Sequence, residues 1–565
     1  MKMTGARAVL ECLKREGVDV VFGYPGGAIL PLYEEMYKDN FRHILTGHEQ
    51  GAVHAADGYA RVTDRPGVCI ATSGPGVCNM VTGIATANMD SIPMVIISGQ
   101  VPTGLIGRDS FQEADISGIT SPITKHNYLV KNAASIPRVL KEAFYIASTG
   151  RPGPVLIDIA KDALEAEIYF QYPDKVHLPG YVVETTGQAY DIDRAVAMIQ
   201  HSQKPVFLVG DGVILSETTK YLEDIVNTTK IPVVTTLMGK GAIPDSHELH
   251  LGMGGMHGSY ASNKAISGCD LLIALGARFD ERLTSRADTF APNAQIIHFE
   301  IDDVEIDKII DIDLGIKGDL RWSLPIFAKK LKEGAFDYGA AFADWRHEVL
   351  AMKKSHPFAT PPRPGCISPQ SIFAAVRDIT RDDDTVAITD VGQHQMWAAQ
   401  FFTTNEPKHF ISSGGLGTMG FGLPAALGAK VACPEKTVVV FSGDGSILMN
   451  CQEFATLSEY GIDVKVIVLH NDTLGMIVQL QDFFYNHHYS QCTLNKRKNL
   501  PMLAESLGVK GYAIEKQDDL TPVLKEAFAH KGPALVDIRI SPEERVYPTV
   551  PGGKALSDMI LGGDA

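Results

Sequence analysis

Short apolar runs rich in β-branched residues alternate with longer helical segments along almost the whole chain. Many of these runs end at a glycine-containing turn, such as Gly443-Asp444-Gly445, before the next helical segment begins. Continuous apolar strands that alternate with helices are typical of parallel sheets covered by helices on both faces. The pattern therefore predicts an α/β protein with doubly wound parallel sheets. The predicted strands are 68–72, 93–98, 154–159, 205–209, 231–236, 271–276, 296–301, 385–389, 437–442, 464–469 and 534–540.

Two stretches without periodicity divide the chain into three such units. Residues 165–187 contain Pro173, Pro179 and Gly180, and residues 353–369 contain five prolines. Segments of this composition are typical of connectors, and a chain of 565 residues is too long for one ordinary core. We expect three α/β domains at 1–165, 188–350 and 367–541, followed by a Pro/Gly-rich tail at 542–565.

Composition and charge narrow the functional class. Apolar residues make up 45% and charged residues 21% of the chain, as in globular proteins. The net charge is −16 and no basic run is present, so we expect no nucleic-acid partner. No apolar stretch approaches the ~20 residues that span a bilayer, and the amino terminus lacks a secretory apolar segment. The eight cysteines form no Cys-x-x-Cys pair, which favours free thiols. We expect a cytoplasmic protein without membrane attachment.

One pair of strand ends carries the clearest chemistry. Gly443-Asp444-Gly445-Ser446 follows one predicted strand, and Asn471 follows the next strand, 27 residues after Asp444. Carboxyl ends of neighbouring parallel strands meet at one edge of a sheet, where open α/β sheets bind phosphates. Mg²⁺ prefers one or two protein oxygens there, completed by phosphate and water. A lone Gly-Asp-Gly is more often an ordinary turn, but the flanking strands and Asn471 favour a Mg²⁺–diphosphate site.

Further motifs agree with this interpretation. The spacing of Asp444 and Asn471 resembles the metal signature of thiamine diphosphate (ThDP) enzymes, although His470 replaces the first of two usual asparagines. From Gly5 to Leu561 the chain resembles the catalytic subunits of the acetohydroxyacid synthase (acetolactate synthase) family. The motifs at 107–113, 255–258 and 278–282 discriminate best within ThDP enzymes. The motifs are FGYPGGA (22–28), HEQ (48–50), GRDSFQE (107–113), KHNY (125–128), RPGP (151–154), GMHG (255–258), RFDER (278–282), DVGQHQMW (390–397) and GTMGFG (417–422).

The resemblance implies a set of ThDP contacts. It places the Mg²⁺ ligands at Asp444, Asn471 and Thr473, and it implies that Met419 supports the bent shape of the cofactor. Small residues such as Gly417 let the backbone approach a flat ring. The implied ThDP-binding residues are Pro25, Gly26, Glu49, Asn79, Val391, Gly392, Gln393, His394, Gly417, Thr418, Met419, Asp444, Gly445, Ser446, Asn471, Thr473, Leu474, Gly475 and Met476.

Glu49 is the expected proton-transfer residue. In the family, a glutamate in this setting hydrogen-bonds the pyrimidine N1′ and promotes the imino tautomer that removes the thiazolium C2 proton. The family also implies that Glu49 of one subunit faces the diphosphate domain of another. We therefore expect a homodimer or homotetramer with active sites at the subunit interface. A regulatory small subunit remains open.

The middle domain resembles the FAD-binding domain of the family. Asp211 departs from a common all-glycine turn, and an acidic side chain near a pyrophosphate should repel it unless it points away. An empty dinucleotide-like fold is the alternative. The implied FAD contacts are Arg151, Gly210, Asp211, Gly212, Thr236, Leu237, Gly255, Met256, His257, Gly276, Arg278, Asp280, Glu300 and Asp319.

The implied activity joins two 2-oxo acids. Pyruvate is decarboxylated on ThDP, and its hydroxyethyl unit is transferred to a second 2-oxo acid. The product is 2-acetolactate from pyruvate, or 2-aceto-2-hydroxybutyrate from 2-oxobutyrate, in the first common step of branched-chain amino acid biosynthesis. Arg282 is expected to bind the carboxylate of the second substrate, and Gln112 and Lys161 to line the entrance. Leu480 replaces a common tryptophan, which predicts a weaker preference for 2-oxobutyrate. Glu281 replaces the usual aspartate.

Three alternatives stay open at this point. An FAD-linked pyruvate oxidase shares the architecture, but the motifs at 255–258 and 278–282 argue against it. An FAD-free catabolic acetolactate synthase, or a related carboligase, would lack the flavin. A non-catalytic paralogue is disfavoured by the presence of Glu49, Asp444 and Asn471 together. The tail would suit a mobile lid because it contains Pro551-Gly552-Gly553.

Overall fold

Each third of the chain forms one parallel sheet. The computed structural model describes residues 1–360, 363–494 and 498–562, and within them it contains three six-stranded sheets. Pro361 and Pro362 of the connector and residues 563–565 of the tail lie outside the described residues. The strands are Val21–Gly23, His43–Leu45, Gly67–Ala71, Met94–Gln100, His126–Val130 and Pro154–Ala160; Pro205–Val209, Val233–Thr235, His250–Met253, Leu271–Leu275, Gln295–Glu300 and Leu314–Lys317; and Thr385–Thr389, Phe410–Ile411, Thr437–Gly443, Val464–His470, Lys510–Ile514 and Ala534–Arg539.

The first and third sheets have the same strand order. Counted in chain order within each sheet, both run 2-1-3-4-6-5, whereas the middle sheet runs 3-2-1-4-5-6. The second order is that of dinucleotide-binding folds. All neighbouring strands in the three sheets are parallel. The predicted fold class, with three doubly wound α/β domains, is confirmed.

Helices cover both faces of the sheets, as the continuous apolar strands require. In the described part of the chain, no helix is both long and apolar enough to cross a bilayer. The α-helices are Gly5–Arg15, Leu30–Asp39, Glu49–Val62, Pro75–Cys78, Val81–Met89, Ile116–Thr120, Ile136–Ser148, Lys161–Glu165, Ala189–His201, Gly212–Leu215, Thr219–Thr229, Tyr260–Gly268, Glu281–Thr284, Leu320–Lys332, Tyr338–Ala341, Ala343–Ser355, Pro369–Ile379, Gln393–Phe401, Gly422–Ala432, Glu453–Glu459, Gly475–Phe484, Leu500–Ser506 and Gln517–Ala529.

The first and third domains share one continuous hydrophobic core. Helix Glu49–Val62 packs against helix Gly422–Ala432 so closely that a Cβ on Gly428 would overlap the carbonyl oxygen of Ala55. Glycine allows this approach because it has no side chain. The contact fixes the start of the first helix, where Glu49 lies, relative to the third domain.

The strands that the sequence pattern did not single out lie mainly at sheet edges. Six strands are new besides His43–Leu45, which lies within the short strand-like stretch 41–45, and all of these except Val21–Gly23 form the edge of a sheet. Edge strands are partly solvated, so they lack the continuous apolar run of a central strand. A two-stranded antiparallel pair joins Lys2–Thr4 to Glu167–Tyr169 and carries the first domain beyond residue 165. The new edge strands are His126–Val130, His250–Met253, Leu314–Lys317, Phe410–Ile411 and Lys510–Ile514.

The tail packs against the middle domain. Val550 and Leu556 are buried in the core of that domain, and the Val550 amide donates to the Met256 carbonyl oxygen at 2.8 Å. Upstream, the carbonyl oxygens of Glu544 and Val546 accept from Gln393 and Gln479 of the third domain. The tail therefore joins the second and third domains.

Candidate active site

Asp444 and Asn471 lie at one edge of the third sheet. Their strands are parallel neighbours, with Gly443 opposite Leu469. Both side chains are buried. Asn471 Oδ1 accepts from the Thr473 amide at 3.1 Å, which folds the chain back directly after the strand. The two oxygen-bearing residues therefore follow neighbouring strands at the same edge of the sheet.

The Asp444 carboxylate is surrounded by polar groups. Lys498 donates to its Oδ2 at 2.6 Å, and His470 Nε2 lies 3.4 Å from the same oxygen. Asp444, His470 and Asp472 offer ligand atoms within 4.8 Å of one another, the type of set that can hold a cation. Carboxylate and amide oxygens are the donors that Mg²⁺ prefers, and both are present at this edge.

His470 is held between acidic residues. Its Nδ1 lies 2.7 Å from Asp537 Oδ1, and its Nε2 lies 3.1 Å from Asp472 Oδ1. Burial acts to lower the pKa of His470, but the neighbouring Asp537 and Asp444 carboxylates outweigh it and raise the pKa above its usual range. The residue that departs from the family motif thus contacts the expected metal ligand.

A polar cradle adjoins this edge. His394 Nε2 and Thr473 Oγ1 are buried without a hydrogen-bond partner among the described residues. Burial lowers the pKa of His394 to about 3, so its ring is neutral at physiological pH. Asn471 Nδ2 lies 3.4 Å from Gln393 Oε1, and Gly475 begins a ten-residue helix beside them. Buried polar atoms normally have partners, and helix N-termini attract phosphate, so these residues fit a diphosphate and its metal.

The loop that contains Gly417, Thr418 and Met419 lies close to the metal edge. Thr418 is hydrogen-bonded at its amide by Ser413 Oγ (3.0 Å) and at its Oγ1 by Thr86 of the first domain (2.7 Å). The terminal methyl carbon (Cε) of Met419 lies 4.0 Å from the position that a Cβ on Gly445 would occupy. The structure therefore brings the expected pyrimidine loop and the metal loop together.

The remaining cofactor-binding residues of the third domain flank the same edge. Gly445 packs closely on Leu474: a Cβ on Gly445 would lie 2.8 Å from Leu474 Cδ2. Ser446 Oγ accepts from the Gly443 amide at 3.1 Å. Val391 and Gly392 lead into helix Gln393–Phe401, and Met476 packs on the core of the domain.

Asp390 organises these loops, and the site prediction missed it. Its buried carboxylate accepts from the amides of Val391 (2.8 Å), Gly420 (2.9 Å) and Gly422 (3.3 Å). Burial raises the pKa of Asp390 to about 6, although these amides act to lower it. The available signal was its position directly after a predicted strand. Lys498 was also missed, and no local pattern marks it.

The first domain gathers its own set around the turn at 72–76. Asn79 Nδ2 donates to Glu49 Oε2 at 2.9 Å, and Glu49 is the first residue of helix Glu49–Val62. Gly26, which follows Pro25, packs against the Thr72 side chain. The backbone of Gln112 lies against Gly74, where a Cβ would be 2.6 Å from the Gln112 carbonyl oxygen. Gln112 itself has a φ of 60°, a strained value for a residue with a side chain.

Lys161 follows the strand Pro154–Ala160 at the same edge and begins the next helix. In the described residues it makes no side-chain hydrogen bond or ion pair with Glu49 or Gln112. Its expected place at the entrance to the site stays a prediction.

Within one chain the two sets remain separate. Among the described residues, no hydrogen bond or ion pair joins Glu49 to Asp444 or Asn471. The turn before Glu49 instead contacts Gln452 and Glu453, which lie beyond the metal loop. A single chain therefore supplies both halves of the expected site without joining them.

A cleft lies between the middle domain and its neighbours. It contains every predicted FAD contact except Gly255, together with Arg282 and Gly417. Gly255 is next to it, at a φ of 101°, and its amide donates to Asn263 at 2.9 Å. The predicted residues in the cleft are Arg151, Gly210, Asp211, Gly212, Thr236, Leu237, Met256, His257, Gly276, Arg278, Asp280, Glu300 and Asp319.

Asp211, which lines this cleft, has a shifted pKa. Burial raises the pKa of Asp211 to about 7, although Arg61 and Arg278 act to lower it. A partly neutral carboxyl group repels a pyrophosphate less than an aspartate in water would. The geometry of the cleft and this pKa both fit a dinucleotide.

Arg282 and Leu480 lie on different domains. Arg282 is exposed at the cleft, on the short helix Glu281–Thr284. Leu480 is 40% exposed and follows Gln479, whose side chain is held by the Val546 backbone.

Comparison with protein families covers most of the chain. Residues 3–119 match the model of the N-terminal TPP binding domain of thiamine pyrophosphate (diphosphate) enzymes. Residues 192–326 match the central domain, and residues 390–538 match the C-terminal TPP binding domain of these enzymes.

Curated relatives cover almost the full length. An acetolactate synthase of Mycobacterium bovis is 47% identical, with 99% of this chain and 91% of the relative aligned. A probable acetolactate synthase large subunit of Methanocaldococcus jannaschii is 46% identical over 99% of this chain and 95% of the relative. The large subunit of Porphyra purpurea is 44% identical over the same shares. The chain therefore belongs to the thiamine pyrophosphate enzyme family, in the group of the acetolactate synthase large subunits.

Proposed function

We propose that the protein is an acetolactate synthase that decarboxylates pyruvate and transfers the hydroxyethyl unit to a second 2-oxo acid. The product is 2-acetolactate from pyruvate and 2-aceto-2-hydroxybutyrate from 2-oxobutyrate, which opens branched-chain amino acid biosynthesis. The full-length relatives support the activity. The observation that carries the site is the cradle at Asp444 and Asn471, where His394 Nε2 and Thr473 Oγ1 are buried without partners among the described residues.

Each side chain has a role in this proposal. When bound, ThDP supplies the nucleophilic carbon and the electron sink for decarboxylation. Asp444, Asn471 and Thr473 hold Mg²⁺, and the neutral His394 and Gln393 bind diphosphate oxygens. Glu49 shares a proton with the pyrimidine N1′. Arg282, which has no ion-pair partner among the described residues, binds the carboxylate of the second 2-oxo acid.

FAD occupies the cleft lined by Asp211 and Arg278 in this proposal. The strand order of the middle domain and the glycine turn at 210–212 are typical of dinucleotide sites. Arg151 and Arg278 supply positive charge at the cleft. Gly417 lines this cleft and also belongs to the pyrimidine loop, so the two cofactor sites adjoin.

A second copy of the chain completes the site. Glu49 and Asp444 remain unjoined among the described residues, and both sides expose apolar side chains such as Phe111 (88%) and Met449 (53%). We propose a homodimer or homotetramer in which Glu49 faces the Asp444 edge of another subunit. A regulatory small subunit and a cytoplasmic location remain part of this proposal, as does a lid function for the tail.

The test combines a spectrum with product analysis. The purified protein should be yellow, and with pyruvate, ThDP and Mg²⁺ it should release CO₂ and form acetolactate without an electron acceptor. Removal of Mg²⁺ by chelation should abolish the activity, and adding Mg²⁺ back should restore it. Acetate or acetyl phosphate with a bleached flavin would instead identify an oxidase. A colourless, fully active protein would remove FAD from the proposal.

A further inference from the structure

Glu453 is a buried acidic residue between the first and third domains. It begins helix Glu453–Glu459 in the third domain, and its exposed fraction is 0%. Burial raises the pKa of its carboxyl group. Its Oε1 is buried without a hydrogen-bond partner among the described residues. Buried polar atoms without partners are rare because they lose hydration without compensation, so this arrangement requires an explanation.

The carboxyl group of Glu453 contacts both sides of the turn that carries Glu49. Its Oε2 accepts from the Gly47 amide at 3.1 Å, across 406 residues of sequence. On the other side, Gly51 lies so close that a Cβ there would be 2.7 Å from Glu453 Cδ. Gly47 and Gly51 flank Glu49 by two residues each. A single side chain of the third domain therefore spans the start of helix Glu49–Val62.

A second contact anchors the same segment. The Tyr460 hydroxyl, at the other end of helix Glu453–Glu459, accepts from the Leu45 amide at 3.0 Å. Other hydrogen bonds of this segment come from within the first domain: the Gln50 amide donates to His48 Nδ1, the Thr46 amide donates to the Gly23 carbonyl oxygen at 3.3 Å, and Asn79 Nδ2 donates to Glu49 Oε2 at 2.9 Å. These bonds shape the turn within the first domain, whereas the contacts of Glu453 and Tyr460 fix it against the third domain.

We propose that Glu453 is a positioning residue that sets the direction of the Glu49 carboxylate. It acts through the Gly47 amide and through packing on Gly51, and it contacts no substrate or cofactor. The inference rests on the proposed role of Glu49 in ThDP activation. Because proton transfer depends on alignment, a displacement of about 1 Å costs about 100-fold in rate.

The test uses substitutions on both sides of the contact. Glu453→Ala removes the accepting oxygen, whereas Glu453→Gln keeps an acceptor of the same size. Gly51→Ala presses a methyl group into Glu453 and reports the same contact even if Glu453→Ala does not fold. Asp57→Asn is the matched control, because Asp57 lies in the same helix and pairs with Arg61 at 2.5 Å, away from the turn.

Two measurements separate positioning from general stability. Amide hydrogen exchange of residues 45–51 is followed in the cofactor-free protein. The exchange rate of the C2 proton is measured by NMR after acid quenching, per molecule of bound ThDP. Glu453→Ala and Gly51→Ala should speed amide exchange in this segment and slow C2 exchange about 10- to 100-fold, with ThDP affinity changed only a few-fold. Glu453→Gln and Asp57→Asn should stay close to the unmodified protein in both.

The outcomes distinguish this inference from the proposed function. If Glu49→Gln leaves C2 exchange unchanged, the proposed role of Glu49 is wrong. If Glu49→Gln slows it but Glu453→Ala and Gly51→Ala do not, the positioning role of Glu453 is wrong. The positioning role would also be overturned if Glu453→Gln were as impaired as Glu453→Ala. The same holds if Asp57→Asn speeded amide exchange at residues 45–51 as much as Glu453→Ala does.

Discussion

Gln100 connects Asp158 to the loop that carries Gln112. Its Nε2 donates to Asp158 Oδ2 at 2.9 Å and to the Ala114 carbonyl oxygen at 3.1 Å. Ser98 Oγ donates to the other oxygen of Asp158 at 2.6 Å. Burial raises the pKa of Asp158 to about 7, although these two hydrogen bonds act to lower it. A buried acid on a central strand therefore supports the strained segment at the edge of the first domain.

Asp158 makes stability depend on pH. Its folded-state pKa lies above the unfolded value of 3.8, so its contribution to stability is full below about pH 4 and is lost as pH rises to about 7. Relative to Asp158→Asn, the unmodified protein should lose up to about 4 kcal/mol of unfolding free energy across this window. The measurement is the melting temperature of both proteins at several pH values. Asp162→Asn, at an exposed site four residues after Asp158, is the control. An equal pH profile for Asp158→Asn and the unmodified protein would contradict the prediction.

Glu49→Gln should reduce turnover by about 100- to 10,000-fold, since a glutamine cannot take the proton at N1′. ThDP and Mg²⁺ should still bind, because the cradle at Asp444 is in another domain. Steady-state kinetics measures the loss of turnover, and calorimetric titration with ThDP measures whether the cofactor still binds. Near-normal turnover would exclude Glu49 from the mechanism.

Leu480→Trp should increase the preference for 2-oxobutyrate over pyruvate as second substrate. Leu480 is 40% exposed, so a larger aromatic side chain can be accommodated and can contact an extra methyl group. A contact of this kind changes discrimination by about 1–3 kcal/mol, or about 10- to 200-fold. Product ratios in competition between the two acids measure the change. Phe484→Trp, one turn further along the same helix, is the control. An unchanged product ratio for Leu480→Trp would mean that other residues set the substrate preference.

Gly428→Ala should destabilise the contact between the first and third domains. Alanine favours a helix over glycine by about 1 kcal/mol, but here a Cβ would overlap the Ala55 carbonyl oxygen. Overpacking of this type costs about 1–3 kcal/mol, so the net change in unfolding free energy should be a loss. Gly27→Ala is the matched control, since no atom lies within 4 Å of its Cβ position. Thermal unfolding compares the two, and equal melting temperatures would contradict the prediction.

The sequence by itself determined the architecture and the edge that carries Asp444 and Asn471. The architecture and this edge both follow from short-range patterns. An apolar run ends in a glycine turn, and a second apolar run follows after one helix. Central strands were predicted within one or two residues because both of their faces are buried. The edge strand Phe410–Ile411 was not, because its pairing depends on a neighbour and not on its own apolarity.

Only the tertiary structure decided which distant side chains meet. Lys498 reaches Asp444 across 54 residues, His470 reaches Asp537 across 67, and Glu453 reaches Gly47 across 406. No periodicity marks such pairs, because they arise when separate sheets and domains pack against each other. The separation of Glu49 from Asp444 within one chain has the same origin. Local chemistry is encoded by a few consecutive residues, whereas the assembly of the site depends on the packing of whole domains.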